Sequence, residues 1–224
     1  MKNLINFGIV FFMAISTIAQ ETTHELADFN ELKVYNGLSV LLKEGKTNKA
    51  VVKGTSSQEV SFKIDDGLLK IRKDLDKLFN DDDIQIILYF VKIDKIEALQ
   101  NSGIKFSEKV KQDNLQLEAQ EGAEIIAKVD VEKLKSKSIT GGEIDITGKA
   151  NHQEVNVRAG GKYYAKNLKS NYIEISINAG GVADIFAIEE VKAKVKAGGT
   201  VNVYGNPKNL DKNTLFGGKI VRKH

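Results

Sequence analysis

The chain has 224 residues, with 33 basic and 30 acidic side chains, a formal net charge of +3, one proline and no cysteine. A length near 200 suits a single all-β domain. The missing cysteines exclude disulfides, thiolate metal sites and cysteine nucleophiles. The two signs of charge are interspersed, which excludes the clustered basic stripe of a nucleic-acid binder but leaves room for weak attraction to anionic surfaces or glycans.

The chain opens on a targeting pattern. Met1-Lys2-Asn3 is a short cationic start, Leu4 to Ile18 is uncharged and largely apolar, and Thr17-Ile18-Ala19 offers modest residues for cleavage before Gln20. The apolar run is short for a membrane span of about 20 residues. It is therefore expected to be a signal peptide over residues 1–19. No cysteine follows it, so no lipid anchor is expected there. With no second apolar run, the chain is expected to carry no transmembrane segment after cleavage. Its destination is the periplasm, the outer-membrane surface or the extracellular space.

Residues 25–99 read as β-rich but irregular. Leu32 to Tyr35 and Leu38 to Leu42 flank Asn36-Gly37, the pattern of a β-hairpin. Further strands are predicted at Ala50–Lys53, Val60–Ile64, Leu68–Ile71 and Ile84–Val91, with a tight turn at Asp66-Gly67 and an exposed charged loop from Asp74 to Asp83. This part is expected to cap one end of the regular coils that begin near residue 100. Pro207 and the basic Arg222-Lys223-His224 tail suit the other end.

From residue 100 onward the chain repeats. Glycine pairs begin at Gly141, Gly160, Gly180, Gly198 and Gly217, and the single glycines Gly122 and Gly103 extend the series upstream. The steps are 19, 19, 19, 20, 18 and 19 residues. Alternating apolar residues precede each corner (Val155, Val157, Ala159; Ile173, Ile175, Ile177, Ala179), and a second alternating pair comes after it (Ile144 and Ile146; Val201 and Val203). Such alternation marks strands with one buried face. Alanine before the glycines (Ala159, Ala179, Ala197) is read as keeping the inside of the corner small. An antiparallel sandwich rarely keeps one turn chemistry at one fixed period, whereas a solenoid reuses the same corner in every coil. The prediction is a parallel β-helix or solenoid with coils of about 19 residues. Residues 20–224 would form one domain, irregular over 25–99 and regular over 100–224.

These features resemble a known family. The stretch Phe-x-x-Leu-x-Val-x-x-Gly-x-x-Val from Phe29 to Val40, the Gly67-Leu68-Leu69-Lys70-Ile71 element and the glycine-cornered coils are similar to the head GIN domain family of auto-transporter adhesins. The usual Ser-Gly corner is replaced here by Gly-Gly or Ala-Gly-Gly. The resemblance implies an exported, right-handed, single-stranded β-helical domain, and it brings no set of functional residues.

Coils in register place Glu124, Glu143, Lys162, Val182, Thr200 and Lys219 at one equivalent position. Glu124 and Glu143 would then stand about one strand spacing apart, close to the 5–5.5 Å or so of a retaining glycosidase pair. Asp145 and Asp184 would flank Tyr164 at about 10 Å, near an inverting spacing. A flat, open sheet does not raise a carboxyl pKa, and Lys162 can offset Glu143, so a solvated face is the preferred reading. His24, His152 and His224 are scattered, with no converging metal ligands. Asn80-Asp81-Asp82-Asp83 lacks calcium-loop spacing. By alternation Tyr163 should be core and Tyr164 outward, where it could share an aromatic patch with Tyr172. The Gly-Gly corners lead into strands and are not nucleotide cradles.

No catalytic, cofactor-binding or metal-binding residue is therefore predicted. The expected function is a non-enzymatic, adhesin-like module of the cell envelope or surface, with a glycan or an envelope protein as the class of partner. The alternatives are a carbohydrate-active β-helix enzyme using the paired carboxylates, and a structural or assembly component of the envelope.

Overall fold

The computed structural model describes residues 21–54, 57–73 and 84–223. The signal peptide expected at 1–19, the whole Asp74–Asp83 loop with its Asn80–Asp83 oxygens, and His224 lie outside the described residues.

Five long strands carry the repeat: β9 (Gly103–Gln120), β10 (Glu124–Ile139), β11 (Glu143–Arg158), β12 (Lys162–Asn178) and β13 (Val182–Lys196). Each pairs in parallel with the next along nearly its whole length. Sixteen extended residues would span about 53 Å, so a coil stacked directly on its neighbour must bend. In β11 the in–out burial alternation slips around Thr147–Lys149 and again at Asn151–His152. These two slips divide the coil into three sides. The inward columns are mainly apolar, as in Ile125, Ile144, Tyr163, Ala183 and Val201, all five of them buried, with the buried Ser136, Ser138, Gln153 and Ser170 as polar members.

The third corner closes each coil, and its first two residues repeat the same left-handed conformation. Thr140 and Gly141 both take left-handed φ values, 49° and 73°, and the Gly142 N–H bonds to the Ile139 carbonyl at 3.0 Å. Two successive positive φ values are the signature of the tightest two-residue turn. Glycine comes next, at position 142, for a different reason: a Cβ there would sit 2.2 Å from the Ala119 carbonyl oxygen of the coil above. Ala159, Ala179 and Ala197 do not line the inside of the corner as expected. They are the exposed first residues of this turn, with φ of 47°, 58° and 55°.

Gly103 is not a corner either. It pairs with Glu124, and the corner above it is Gln100-Asn101, with φ of 54° and 59°. Asparagine tolerates the left-handed region, so the glycine series lost its phase at this point.

The first part of the chain stacks on the same sides. It contributes β2 (Glu31–Val34), β3 (Ser39–Glu44), β6 (Leu68–Lys73), β7 (Gln85–Phe90) and β8 (Lys95–Ala98), all paired in parallel with neighbours in the stack. Asn36-Gly37 takes the predicted turn conformation, with φ of 61° and 71°, but makes no hairpin. β2 pairs with β6 and β8, while β3 pairs with β7 and β9, so this turn is one more solenoid corner. Antiparallel strands close this end: β1 (Glu21–Glu25) beside β4 (Lys49–Lys53), and β5 (Val60–Asp65) joined to β6 by a true hairpin at Asp66-Gly67. At the other end β14 (Thr200–Tyr204), β15 (Asn209–Leu215) and β16 (Lys219–Arg222) complete the stack.

The last coil departs from the inward apolar rule. Lys212 and Arg222 stand in file with buried Ala193 and Val203. The Lys212 ammonium donates to the Ile220 carbonyl at 3.3 Å, and the Arg222 guanidinium donates to Asn206 Oδ1 at 2.7 Å and to the Pro207 carbonyl at 3.3 Å. Inward charges on a terminal coil discourage edge-to-edge pairing with another chain.

Candidate binding groove

The parallel register brings the predicted carboxylates together as expected. Glu124 pairs with Glu143, which pairs with Lys162, then Val182, Thr200 and Lys219. Glu143 is neutralised by the Lys162 ammonium at 3.1 Å, and the same hydrogen bond holds the Lys162 amine above its ordinary pKa. Asp145, Tyr164 and Asp184 form the second column. Asp184 Oδ1 accepts from Asn202 Nδ2 at 2.7 Å. Glu124 and Asp145 are exposed, so neither pair has the dry surroundings that make a carboxyl group a proton donor.

Tyr163 is fully buried, and its hydroxyl donates to Gln153 Oε1 at 2.6 Å. The Gln153 amide in turn donates to Ser170 Oγ at 2.5 Å, so a short polar chain runs through the apolar interior. Burial pushes the Tyr163 phenol well above its ordinary value. Glu97 is a second nearly buried acid. Its burial would raise the carboxyl, but hydrogen bonds from Lys95 and Lys33, at 2.5 and 3.0 Å, outweigh that and hold it low. Both groups are fully engaged within the fold.

The surface feature with the most chemistry lies at the Asn151–His152 bend. Tyr164 and Tyr172 do not share a patch. Tyr172 pairs instead with His152, and their rings stack at 4.9 Å between centroids with planes 18° apart. His152 also has Nδ1 at 3.6 Å from Glu132 Oε1. That carboxylate is oriented by the Asn151 amide at 2.6 Å, and Asn151 Oδ1 accepts from Asn171 at 2.8 Å. The ring pair is thus held by a ladder of amides across three coils.

Two outward columns border this pair and enclose an open groove of about 340 Å³. One is Lys133, His152, Tyr172 and Glu190; the other carries Glu154, Glu174 and Lys192. Glu154 pairs with Lys135 at 3.1 Å and Glu190 with Lys192 at 3.3 Å. Glu174 has no such partner among the described residues, and it lies beside Tyr172, which is 42% exposed. An aromatic pair with convergent amines and carboxylates can hold a polar ligand in one orientation. Among the described residues no cluster of three or more His, Asp or Glu side chains could hold a metal ion, and no helix is long and apolar enough to cross a membrane.

Solved structures share this architecture across almost the whole chain. A putative adhesin from Bacteroides fragilis superposes with a TM-score of 0.84 at 18% identity, covering 93% of this chain and 98% of its own. A putative lipid binding protein from Parabacteroides distasonis gives 0.73 at 15% identity, with the same coverages. A putative adhesin from Parabacteroides merdae gives 0.71 at 15%, again with 93% and 98% covered. At such identities the likeness establishes the fold. No curated protein matches the chain. The family described as "Putative auto-transporter adhesin, head GIN domain" matches residues 28–207, which span most of the stack from the Phe29 element to Pro207. The chain belongs to the head GIN domain family.

Proposed function

We propose that this chain is an exported, non-enzymatic interaction module of the cell envelope that holds its partner in the groove beside His152 and Tyr172. In this reading residues 1–19 are removed on export, residues 20–224 act as one unit, and the partner is a glycan or an envelope protein. The observation that carries it is the stacked ring pair, fixed on a rigid sheet and bordered by Glu174, a carboxylate without an ion-pair partner among the described residues. An exposed aromatic pair held by a polar ladder suits recognition better than folding, because its burial adds little to the core. Membership of an adhesin-like family agrees with this reading.

The carboxylate columns support a surface role over glycoside hydrolysis. Glu143 is held by Lys162 and Asp184 by Asn202, and a general acid needs a raised pKa in a closed site. Binding of the labelled chain to isolated envelopes of the producing cells tests the proposal. The H152A/Y172A variant should bind at least tenfold more weakly while melting at the same temperature. Equal binding by the two proteins would overturn the groove as the contact site.

A further inference from the structure

Beyond the groove, the outer face of the same side changes character along the solenoid axis. In the early coils its cations are matched by acids: Lys33 and Lys95 hold Glu97, and Lys137 meets Glu118 at 3.4 Å. In the columns of Lys137 and Ile139 the pairing stops there, while the neighbouring outward column keeps Glu154, Glu174 and Asp211, with Glu154 held by Lys135. The outward columns that begin at Lys137 and Ile139 continue to Asn213 and Leu215 without one carboxylate. Arg158, Lys194 and Lys196 are all exposed there and have no ion-pair partner among the described residues. Asn178 lies between Arg158 and Lys196 in one column, and Asn156 stands in the column of Lys194. Strand geometry puts the roots of Arg158 and Lys196 about 10 Å apart along the axis, and those of Lys194 and Lys196 about 7 Å apart along the strand.

We propose that this acid-free strip binds a linear anionic polysaccharide lying along the solenoid axis. Cations held at fixed separations on a rigid sheet match the spaced charges of a polymer, and the intervening amides offer donors and acceptors to its hydroxyls. A membrane surface fits less well, since the strip's exposed large apolar side chains lie only at its end, at Leu215 and Phe216, with Ile139 half-buried at its start. The strip shares no residue with the groove, so it stands whether or not the groove reading holds.

Affinity for dextran sulfate tests this, with uncharged dextran, phosphatidylglycerol vesicles and two charge-matched triple variants as comparisons. R158Q/K194Q/K196Q should lose about tenfold, the sum of modest contributions from three exposed charges. K46Q/K63Q/K105Q, which removes the same charge elsewhere on the surface, should change affinity less than twofold, and H152A/Y172A should bind as wild type. Added salt should weaken binding by the wild-type chain. Equal losses from the two triples would mean that net charge alone attracts the polymer. Binding to uncharged dextran as tight as to dextran sulfate, or strip-dependent binding to the vesicles alone, would equally overturn the proposal.

Discussion

His152 and Tyr172 stack on adjacent coils because a one-residue bulge intervenes between Asp145 and Gly148. Asp145 pairs with Tyr164, nineteen residues on, but Gly148 pairs with Leu168, twenty on. A strict repeat of 19 would have placed His152 opposite Asn171. The bulge swaps an amide for an aromatic ring. Because both rings are exposed, Tyr172→Ala should cost less than about 0.5 kcal/mol of stability, while binding to envelopes falls. Thermal melting and a binding isotherm on the same sample check both halves.

Tyr163 and Gln153 meet inside the stack, and this contact should matter for stability. Tyr163→Phe leaves the buried Gln153 Oε1 without its 2.6 Å donor. The cost should be about 1–3 kcal/mol, read as a lower midpoint in urea with an unchanged slope.

The same phenol predicts an alkaline effect. Burial raises its folded-state pKa above the ordinary phenol value of about 10. The unfolded chain therefore loses this proton first as pH rises. The contribution of Tyr163 to stability is whole below about pH 10 and declines above it, by at most about 1.4 kcal/mol per pH unit. Urea titrations of wild type and Tyr163→Phe should converge as pH rises above 10.

Neighbouring glycines in one corner should respond differently to alanine. At Gly141 a Cβ meets nothing within 4 Å, so the cost is that of a left-handed residue, about 1–2 kcal/mol. At Gly142 the Cβ would lie 2.2 Å from the Ala119 carbonyl oxygen, and a coil would have to shift. Gly142→Ala should cost more than about 3 kcal/mol or prevent folding, which paired denaturation curves would show.

The in-turned charges of the last coil predict a change of assembly. With Lys212→Val and Arg222→Val, the end of the stack becomes an apolar, unpaired edge. The double variant should form larger species as concentration rises, with the wild-type chain unchanged over the same range; light scattering distinguishes them.

Local chemistry was the most legible part of the sequence. The parallel stack, the column from Glu124 to Lys219 and the burial of Tyr163 all come from alternation and a fixed period. Asn36-Gly37 shows the limit. A two-residue turn is set by its own backbone, so its φ values were predictable, but which strands pair across it is decided by stacking partners far along the chain. At Gln100-Asn101 another residue type supplied the left-handed turn, and the glycine series misplaced the corner by reaching for Gly103. The groove was illegible for a third reason. Gly148, with φ of 113°, marks the slip on one strand, but the extra residue falls in Ala165–Asn167 on the other, where no residue type fixes its place, and it decides which side chain meets His152.

Photo-crosslinking in living cells tests most directly whether a partner sits in the groove. Benzoylphenylalanine placed at Glu174 should yield an adduct that disappears when His152→Ala and Tyr172→Ala are added, while the same probe at Glu124, on another side of the coil, should yield none. An adduct from position 124 alone, no adduct from 174, or a 174 adduct that survives loss of both rings would contradict the account.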